Sequence, residues 1–335
     1  MSPLRLSVLL PFKDAADTLQ EAAESLLEQT EPRWELIAVD DGSTDHSREI
    51  LQKLNDPRIH VLANQGSGIV DALNTGIPRC QAPWIARMDA DDRCHPERFE
   101  AQLLHGENHP DLSVIGCLVT AFPTQETTGG MRHYLDWLNS LVNPDEIGRE
   151  IFVESPIAHP SATLRADALR ALGGYRGGDF PEDYDLWLRF HGAGHRLGKV
   201  NRPLLDWREG AHRLSRKDPR YRPDAFRRLK AQALARDWLQ ERREVQIWGA
   251  GPDGKKWRKA LAEEGIDVVR FLDIDPRKIG GRIGNQVPVL DASEVDRYRG
   301  LPLLGAVGVK GARAEIRAIL NALGWVEGTD HVFVQ

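Results

Sequence analysis

Three aspartates, Asp89, Asp91 and Asp92, follow the apolar run Trp84-Ile85-Ala86-Arg87-Met88. The run reads as a strand, so the carboxylates stand where that strand ends. Carboxylate oxygens suit Mg2+ or Mn2+, hard ions that keep several waters and are completed by substrate phosphate oxygens rather than by an all-protein cage. The expected ligand is therefore a nucleoside diphosphate. A short acidic run can equally be a solvated turn, and its neighbours decide between the two.

Those neighbours alternate strand and helix. Residues 6–10 form an apolar run stopped by Pro11, and a helix-period segment covers 17–27. Residues 34–39 repeat the strand pattern and end in Asp40-Asp41-Gly42-Ser43-Thr44-Asp45. Further strands are expected over 59–62 and 85–88, with a helix over 69–77 between them. The class is α/β with a mostly parallel sheet, and polar turns at the carboxyl ends of such strands are where open sheets bind ligands. Asp40 and Asp41 also have a plainer use, capping the helix that follows.

Pro11-Phe12-Lys13-Asp14, Ser25-Leu26-Leu27-Glu28-Gln29-Thr30, Val39 through Asp45, Asn74-Thr75-Gly76 and Asp89-Ala90-Asp91-Asp92 stand in an order that resembles family-2 glycosyltransferases of the GT-A fold. The resemblance implies that Pro11, Phe12 and Asp14 border the nucleoside and that Asp41 accepts a hydrogen bond from a uracil-type base. It also implies that Asn74 lies at the substrate, that Asp91 is the principal metal ligand and that Asp89 faces the ribose or assists at the metal. Many relatives carry an arginine shortly before the asparagine, where this chain reads Ile69-Val70-Asp71-Ala72-Leu73-Asn74. Positive charge for the pyrophosphate then falls to Arg87 or to a downstream basic residue.

From about Ile151 the chain changes character. Glu154-Ser155-Pro156-Ile157-Ala158-His159-Pro160 is turn-rich, residues 164–172 are helix-like, and Gly173-Gly174-Tyr175 stops them. Phe180-Pro181-Glu182-Asp183 then opens an amphipathic helix. Acids in a first turn suit the helix macrodipole, which by itself makes Glu182 and Asp183 ordinary. The pair after a Gly-Gly-Tyr turn resembles the catalytic helix of the same family, which implies that Asp183 is the general base beside Glu182 and that the anomeric centre is inverted. His159 resembles an acceptor-side residue, and His212 resembles a late histidine that approaches the metal and the diphosphate. A lone histidine is as readily a hydrogen-bonded structural residue.

Residues 224–242 have apolar positions at helical spacing and basic ones elsewhere on the turn, the pattern of a packing and linking helix. A basic face could also meet an anionic membrane or a lipid-diphosphate acceptor. Beyond it, Val245-Gln246-Ile247-Trp248 leads into Gly249-Ala250-Gly251-Pro252-Asp253-Gly254, a G-x-G-x-x-G before a helix-like segment, with Asp273 about 20 residues on. Gly249, Gly251, Gly254 and Asp273 are thus candidate cofactor-binding residues. The remaining chain is too short for a dinucleotide half plus a catalytic domain, and it resembles small auxiliary Rossmann modules of sugar-modifying enzymes. The pairing of halves resembles β-1,3-N-acetylglucosaminyltransferase-like proteins, which implies a UDP-linked donor. The expected layout is a GT-A nucleotide-diphospho-sugar transferase domain over 1–222, a linking helix over 223–243 and a Rossmann-like domain over 244–335.

A chain of 335 residues holds two domains with sizeable cores, and a net charge of -6 gives no broad electrostatic footprint for nucleic acid. Cys80, Cys94 and Cys117 are odd in number without metal spacing, which fits a reducing, cytoplasmic compartment. No stretch reads as a spanning helix or a signal peptide, which leaves peripheral membrane contact as the expected limit. The partners expected are a nucleotide-sugar donor and a saccharide or lipid-linked acceptor. The alternative is a non-catalytic regulatory protein that binds a nucleotide sugar or dinucleotide, and the presence of Asp183 beside Asp91 favours the enzyme.

Overall fold

The computed structural model describes residues 3–210, 218–284 and 286–335. The chain forms two compact units, Met1–Gly148 with Pro156–Asp218, and Arg149–Ser155 with Pro219–Gln335. The helix expected as a linker therefore groups with the second unit, as does a short segment taken from within the first half of the chain. No helix among the described residues is long and apolar enough to cross a membrane.

In the first unit, β1 (Leu6–Phe12), β2 (Trp34–Asp40), β3 (Ile59–Ala63) and β4 (Trp84–Arg87) are parallel in the order β3-β2-β1-β4. Every residue of β1 and β2 is buried, the continuous burial of strands covered on both faces. Helices Leu19–Leu27 and Ile69–Gly76 turn Leu19, Ala22, Ala23, Leu26, Ala72 and Leu73 inward. The sheet is completed by β5 (Arg93–Cys94), β6 (Leu112–Phe122), β7 (Thr163–Arg165) and β8 (Arg196–Arg208), in the order β4-β7-β6-β8-β5. Here β7 runs antiparallel to both β4 and β6, and β8 runs parallel to β6 as far as Phe122 opposite Arg208.

Three strand ends meet at one edge because register aligns them. Phe12 stands opposite Asp40 and Leu9 opposite Arg87, and the Asp41 N–H donates to Phe12 O at 2.9 Å. The polar segments after β1, β2 and β4 thus share the carboxyl edge of the sheet.

The second unit has a sheet of β9 (Glu244–Trp248), β10 (Asp267–Asp273), β11 (Arg282–Ile283), β12 (Val287–Asp291), β13 (Leu303–Gly305) and β14 (His331–Phe333), in the order β11-β12-β10-β9-β13-β14. All neighbours are parallel except the edge strand β11. Its core gathers Trp248, Leu272, Val295, Leu303, Ile316, Leu320, Trp325 and Phe333, with Val153 of the inserted segment against it. Lys230, on the helix Pro223–Ala233, donates to Val153 O at 2.9 Å and Val334 O at 3.0 Å, and Arg317 donates to Glu150 at 2.7 Å.

Candidate active site

Asp89, Asp91 and Asp92 each offer a carboxylate oxygen within 4.8 Å of the other two. Several groups fix the loop that carries them. Thr18 Oγ1 donates to Ala90 O at 3.0 Å, the Arg208 N–H donates to Asp92 Oδ1 at 2.7 Å, and Arg208 Nε donates to Asp91 O at 2.6 Å. Arg208 is itself held by Glu21. Asp89 pairs with Arg87, which is 1% exposed at the end of β4. A converging set of oxygen donors fits a hard divalent ion, with Asp91 and Asp89 as the carboxylates that would hold it. Arg87, considered above for the pyrophosphate, is turned inward onto Asp89, and Lys13 is exposed at the end of β1 with its Nζ 3.9 Å from Asp41.

The segments after β1 and β2 are laced together by side-chain to backbone bonds. Asp14 adopts a left-handed φ of 45° and accepts from the Thr44 N–H at 2.7 Å, while its own N–H donates to Ser43 Oγ at 3.0 Å. Asp40 accepts from the Ser43 N–H at 2.8 Å, and Asp45 accepts from Ala16 and Ser47, the Ser47 hydroxyl holding its carboxyl below the usual range. Asp40 and Asp45 thus do the turn-forming work considered for this segment. Asp41 is different. It accepts from Asn64 Nδ2 at 2.6 Å and from the Gly68 N–H at 2.9 Å, bonds that aim its carboxylate from the side of β3. A carboxylate accepts about four hydrogen bonds, so capacity for a base N–H remains. Pro11 and Phe12 are buried at the end of β1, immediately before the exposed Lys13 and Asp14.

Asn74 holds the turn that precedes the helix Glu182–Gly192. Its Nδ2 donates to Tyr175 O at 2.9 Å and its Oδ1 accepts from the Tyr175 N–H at 3.0 Å, so both ends of the amide are given to one backbone unit. Gly174 sits at φ +71°, and a Cβ there would lie 2.6 Å from Asn74 Oδ1, which leaves glycine as the residue that fits.

Past that turn the helix Glu182–Gly192 starts with Pro181 as its N-cap. Asp185 is buried and spent on scaffold, paired with Arg189 at 2.7 Å and with Arg176. Arg189 in turn donates to Leu172 O and Gly174 O. Asp183 is half-buried and accepts the Tyr184 N–H at 2.7 Å. Burial, followed by the charge of the buried Glu182, pushes the Asp183 carboxyl up to about 7. A carboxyl poised near neutrality suits general-base work. His159 is buried, with Nε2 2.8 Å from Tyr175 Oη and its ring edge-on to Trp187. Burial and then the Arg87 charge hold its imidazole well below its ordinary pKa, so it is neutral. His212, expected near the metal, lies outside the described residues.

In the second unit the glycine fingerprint forms the turn its spacing predicts. Gly249 has φ +120°, and a Cβ on Gly254 would stand 1.9 Å from Gly249 O, the close strand-to-helix approach that this third glycine permits. Asp273 turns back on the same loop, accepting from Ala250 N–H at 2.8 Å, Asp275 N–H at 2.9 Å and Lys278 Nζ at 3.0 Å. Burial raises its pKa, but those three donors outweigh it and the carboxyl stays below its usual range.

With this geometry the chain can be set beside known proteins. Over residues 7–173 it matches Glycosyl transferase family 2. The amylovoran biosynthesis glycosyltransferase AmsE of Erwinia amylovora is 30% identical over 217 residues, covering 63% of this chain and 79% of that one. The chain belongs to glycosyltransferase family 2. A further relative of this transferase, an uncharacterized glycosyltransferase of Haemophilus influenzae, is 28% identical, covering 64% of this chain and 79% of its own. Among solved structures, S. aureus TarS residues 1–349 in complex with UDP-GlcNAc aligns with a TM-score of 0.58 at 16% identity, over 78% of this chain and 71% of that one, a likeness of fold. The transferase thus has a GT-A domain followed by a small α/β domain and acts on a nucleotide-sugar donor. The acidic cluster lies inside the matched span, whereas Asp183 lies beyond it.

Proposed function

We propose that this glycosyltransferase is inverting and metal-dependent, and moves N-acetylglucosamine or another hexose from a UDP-sugar to an acceptor hydroxyl on a saccharide or lipid-linked acceptor. The observation that carries the reading is Asp183, a half-buried carboxyl raised toward neutrality in the same unit as the Asp89, Asp91 and Asp92 cluster. Pro11, Phe12, Asp14 and Asp41 border the nucleoside, and Asp41 is aimed by Asn64 and Gly68 to accept from the base. Asp91 and Asp89 would hold Mn2+ or Mg2+, and an ion there would supply neutralisation of charge at the departing diphosphate. Asp183 takes the proton of the acceptor hydroxyl as its oxygen attacks the anomeric carbon from the face opposite the leaving group. Glu182 raises the basicity of Asp183, and His159 with Tyr175 backs the acceptor side. TarS was solved with UDP-GlcNAc, which supports a UDP-linked donor within a shared fold.

The glycine loop and Asp273 serve packing or ligand sensing in this reading, since Asp273 already satisfies its own loop. Buried free thiols at Cys80, Cys94 and Cys117 support a reducing, cytoplasmic setting. A thermal-shift and product screen of UDP- and GDP-linked sugars with Mn2+ tests the proposal. Stabilisation and transfer with a UDP-sugar are expected, and a response confined to GDP-sugars overturns the donor assignment.

A further inference from the structure

Asn74, Thr75 and Gly76 close the helix Ile69–Gly76, and each is committed to a different neighbour. Gly76 lets the helix lie close on the sheet, since a Cβ there would collide with the Leu9 side chain of β1. Thr75 Oγ1 donates to Asn64 Oδ1 at 3.1 Å, and Asn64 Nδ2 donates in turn to Asp41 at 2.6 Å. A primary amide is planar, so a hydroxyl that fixes its oxygen also fixes where its N–H groups point. Thr75 thereby sets the donor that aims Asp41. Asn74 instead grips a residue 101 positions further on, with its Oδ1 and one N–H both given to the backbone of Tyr175. The gripped turn is fastened to the helix that carries Asp183. Arg189 of that helix donates to Leu172 O at 3.0 Å and Gly174 O at 2.8 Å, and Asp185 accepts from Arg189 Nε at 2.7 Å. Tyr175 Oη, 2.8 Å from His159 Nε2, ties the same turn to the segment before β7. Successive side chains of a helix point about 100° apart, which lets two adjacent residues serve two separate loops.

We infer that Asn74 and Thr75 are positioning residues rather than substrate ligands: Thr75, through Asn64, aims Asp41 at the base, and Asn74, through the Tyr175 turn and Arg189, places the helix that presents Asp183. The role rests on the proposed parts of Asp41 and Asp183. It gives one helix end two separable duties, donor recognition through Thr75 and placement of the base through Asn74. Substitutions at the two neighbours should therefore fail in opposite ways, whereas two substrate ligands, or two residues of mere packing, would fail alike.

The test uses the full chain, with calorimetry of UDP in the presence of Mn2+ and UDP release from a UDP-sugar as turnover. Asn74→Ala is expected to bind UDP within about twofold of the parent and to lose kcat by about 10- to 100-fold, the scale on which a displacement of about 1 Å at a reacting group acts. Thr75→Val, of nearly the same shape without the hydroxyl, is expected to weaken UDP by about tenfold and to raise donor KM, with kcat at saturating donor within a few-fold. Thr75→Ser, which keeps the hydroxyl, should restore both. Hydrogen exchange of the free protein maps the two duties directly. In Asn74→Ala the amides from Tyr175 to Tyr184 should exchange faster and the Gly68 amide, which Asp41 accepts, should not; Thr75→Val should show the reverse. A clear loss of UDP affinity in Asn74→Ala makes that residue a ligand and overturns the inference, as does an exchange pattern common to both variants. If Asn74→Ala does not fold, Asn74→Ser, polar but too short to span both bonds, carries the same test. Exchange reads without substrate, so absence of UDP release by the unsubstituted protein breaks the functional reading while the exchange pattern still decides this one.

Discussion

At the end of β4, three acids bring their oxygens to a common point within 4.8 Å. At the end of β10, a single acid, Asp273, spends its oxygens on Ala250, Asp275 and Lys278 of its own unit. Both places are carboxyl edges of parallel strands, where open α/β sheets take ligands, and both carry motifs that read as ligand-binding. The difference lies in where the charge is directed. Converging carboxylates repel one another and favour a cation even with Arg87 on Asp89 and the Arg208 N–H on Asp92, whereas Asp273 stands alone and accepts from a lysine and two backbone N–H groups of its own loop. A motif with the right spacing therefore says where a loop turns, and the partners of its charged residue say whether that residue is available to a ligand.

The sharpest way to break this contrast is at the base. Asp183→Asn is expected to bind donor almost as the parent does and to lose transfer by about two to four orders of magnitude, the usual share of a general base. Calorimetry for binding and nucleotide release for turnover separate the two, and turnover within a few-fold of the parent would reduce Asp183 to a first-turn acid. Next comes the cluster. Asp91→Asn, or excess chelator, should weaken UDP-sugar binding by about 100-fold or more, since loss of mere outer-shell partners of a metal already costs roughly 10–100-fold. Donor affinity that survives both treatments removes the metal from the reading.

On the other side of the comparison, Asp273→Ala should leave transfer within a few-fold of the parent while destabilising the second unit by about 1.5–3 kcal/mol, the range for hydrogen bonds to a charged group. Denaturant unfolding measures it, and NAD(P)H absorbance should show no substrate-dependent hydride transfer. Hydride transfer abolished by Asp273→Ala would make the two loops equals. The smallest effect is in pH. Since Asp183 must be ionised to act, kcat/KM should rise toward a plateau through about pH 7. Its folded pKa is raised, so the native state retains a proton that the unfolded chain gives up between about pH 4 and 7, and stability falls across that window. Asp183→Asn should accordingly melt higher than the parent above pH 7, with the gain disappearing toward pH 4.

The parallel strands β1 to β4 were legible because their apolar runs end in polar turns, and the fingerprint turn at Gly249 was legible because its glycines have one steric purpose each. The antiparallel half was not. Residues 164–172 read as one helix, but Leu164 belongs to β7 and the helix begins at Ala166, since a three-residue strand is too short to show a period. The helical pattern over 224–242 is interrupted by the wider turn Leu234–Leu239, where Trp238 donates to Gly328 O, a partner no local pattern announces. The place of Asp41 after β2 was legible, whereas its hydrogen-bond donor Asn64 was not, although a polar residue just after β3 was a usable signal. Arg208 was missed because β8, which delivers it to Asp91 and Asp92, carries no clean alternation. Asn74 was found for its place in a motif, and the structure shows its amide clamping Tyr175.

The seven-residue segment Arg149–Ser155 sets a timetable for biosynthesis. It leaves the ribosome among residues of the first unit, yet Glu150 meets Arg317 only after 167 further residues. At 5–20 residues per second, that is a wait on the order of ten seconds or more. Through that interval Glu150 is in the position of a loop residue whose binding partner has not been made, and the first unit must close around both ends of its segment. The later unit then docks onto a segment already tethered at two points, so its assembly is an intramolecular capture, and slowing translation after residue 218 would lengthen the time for which that segment is open to chaperones and proteases.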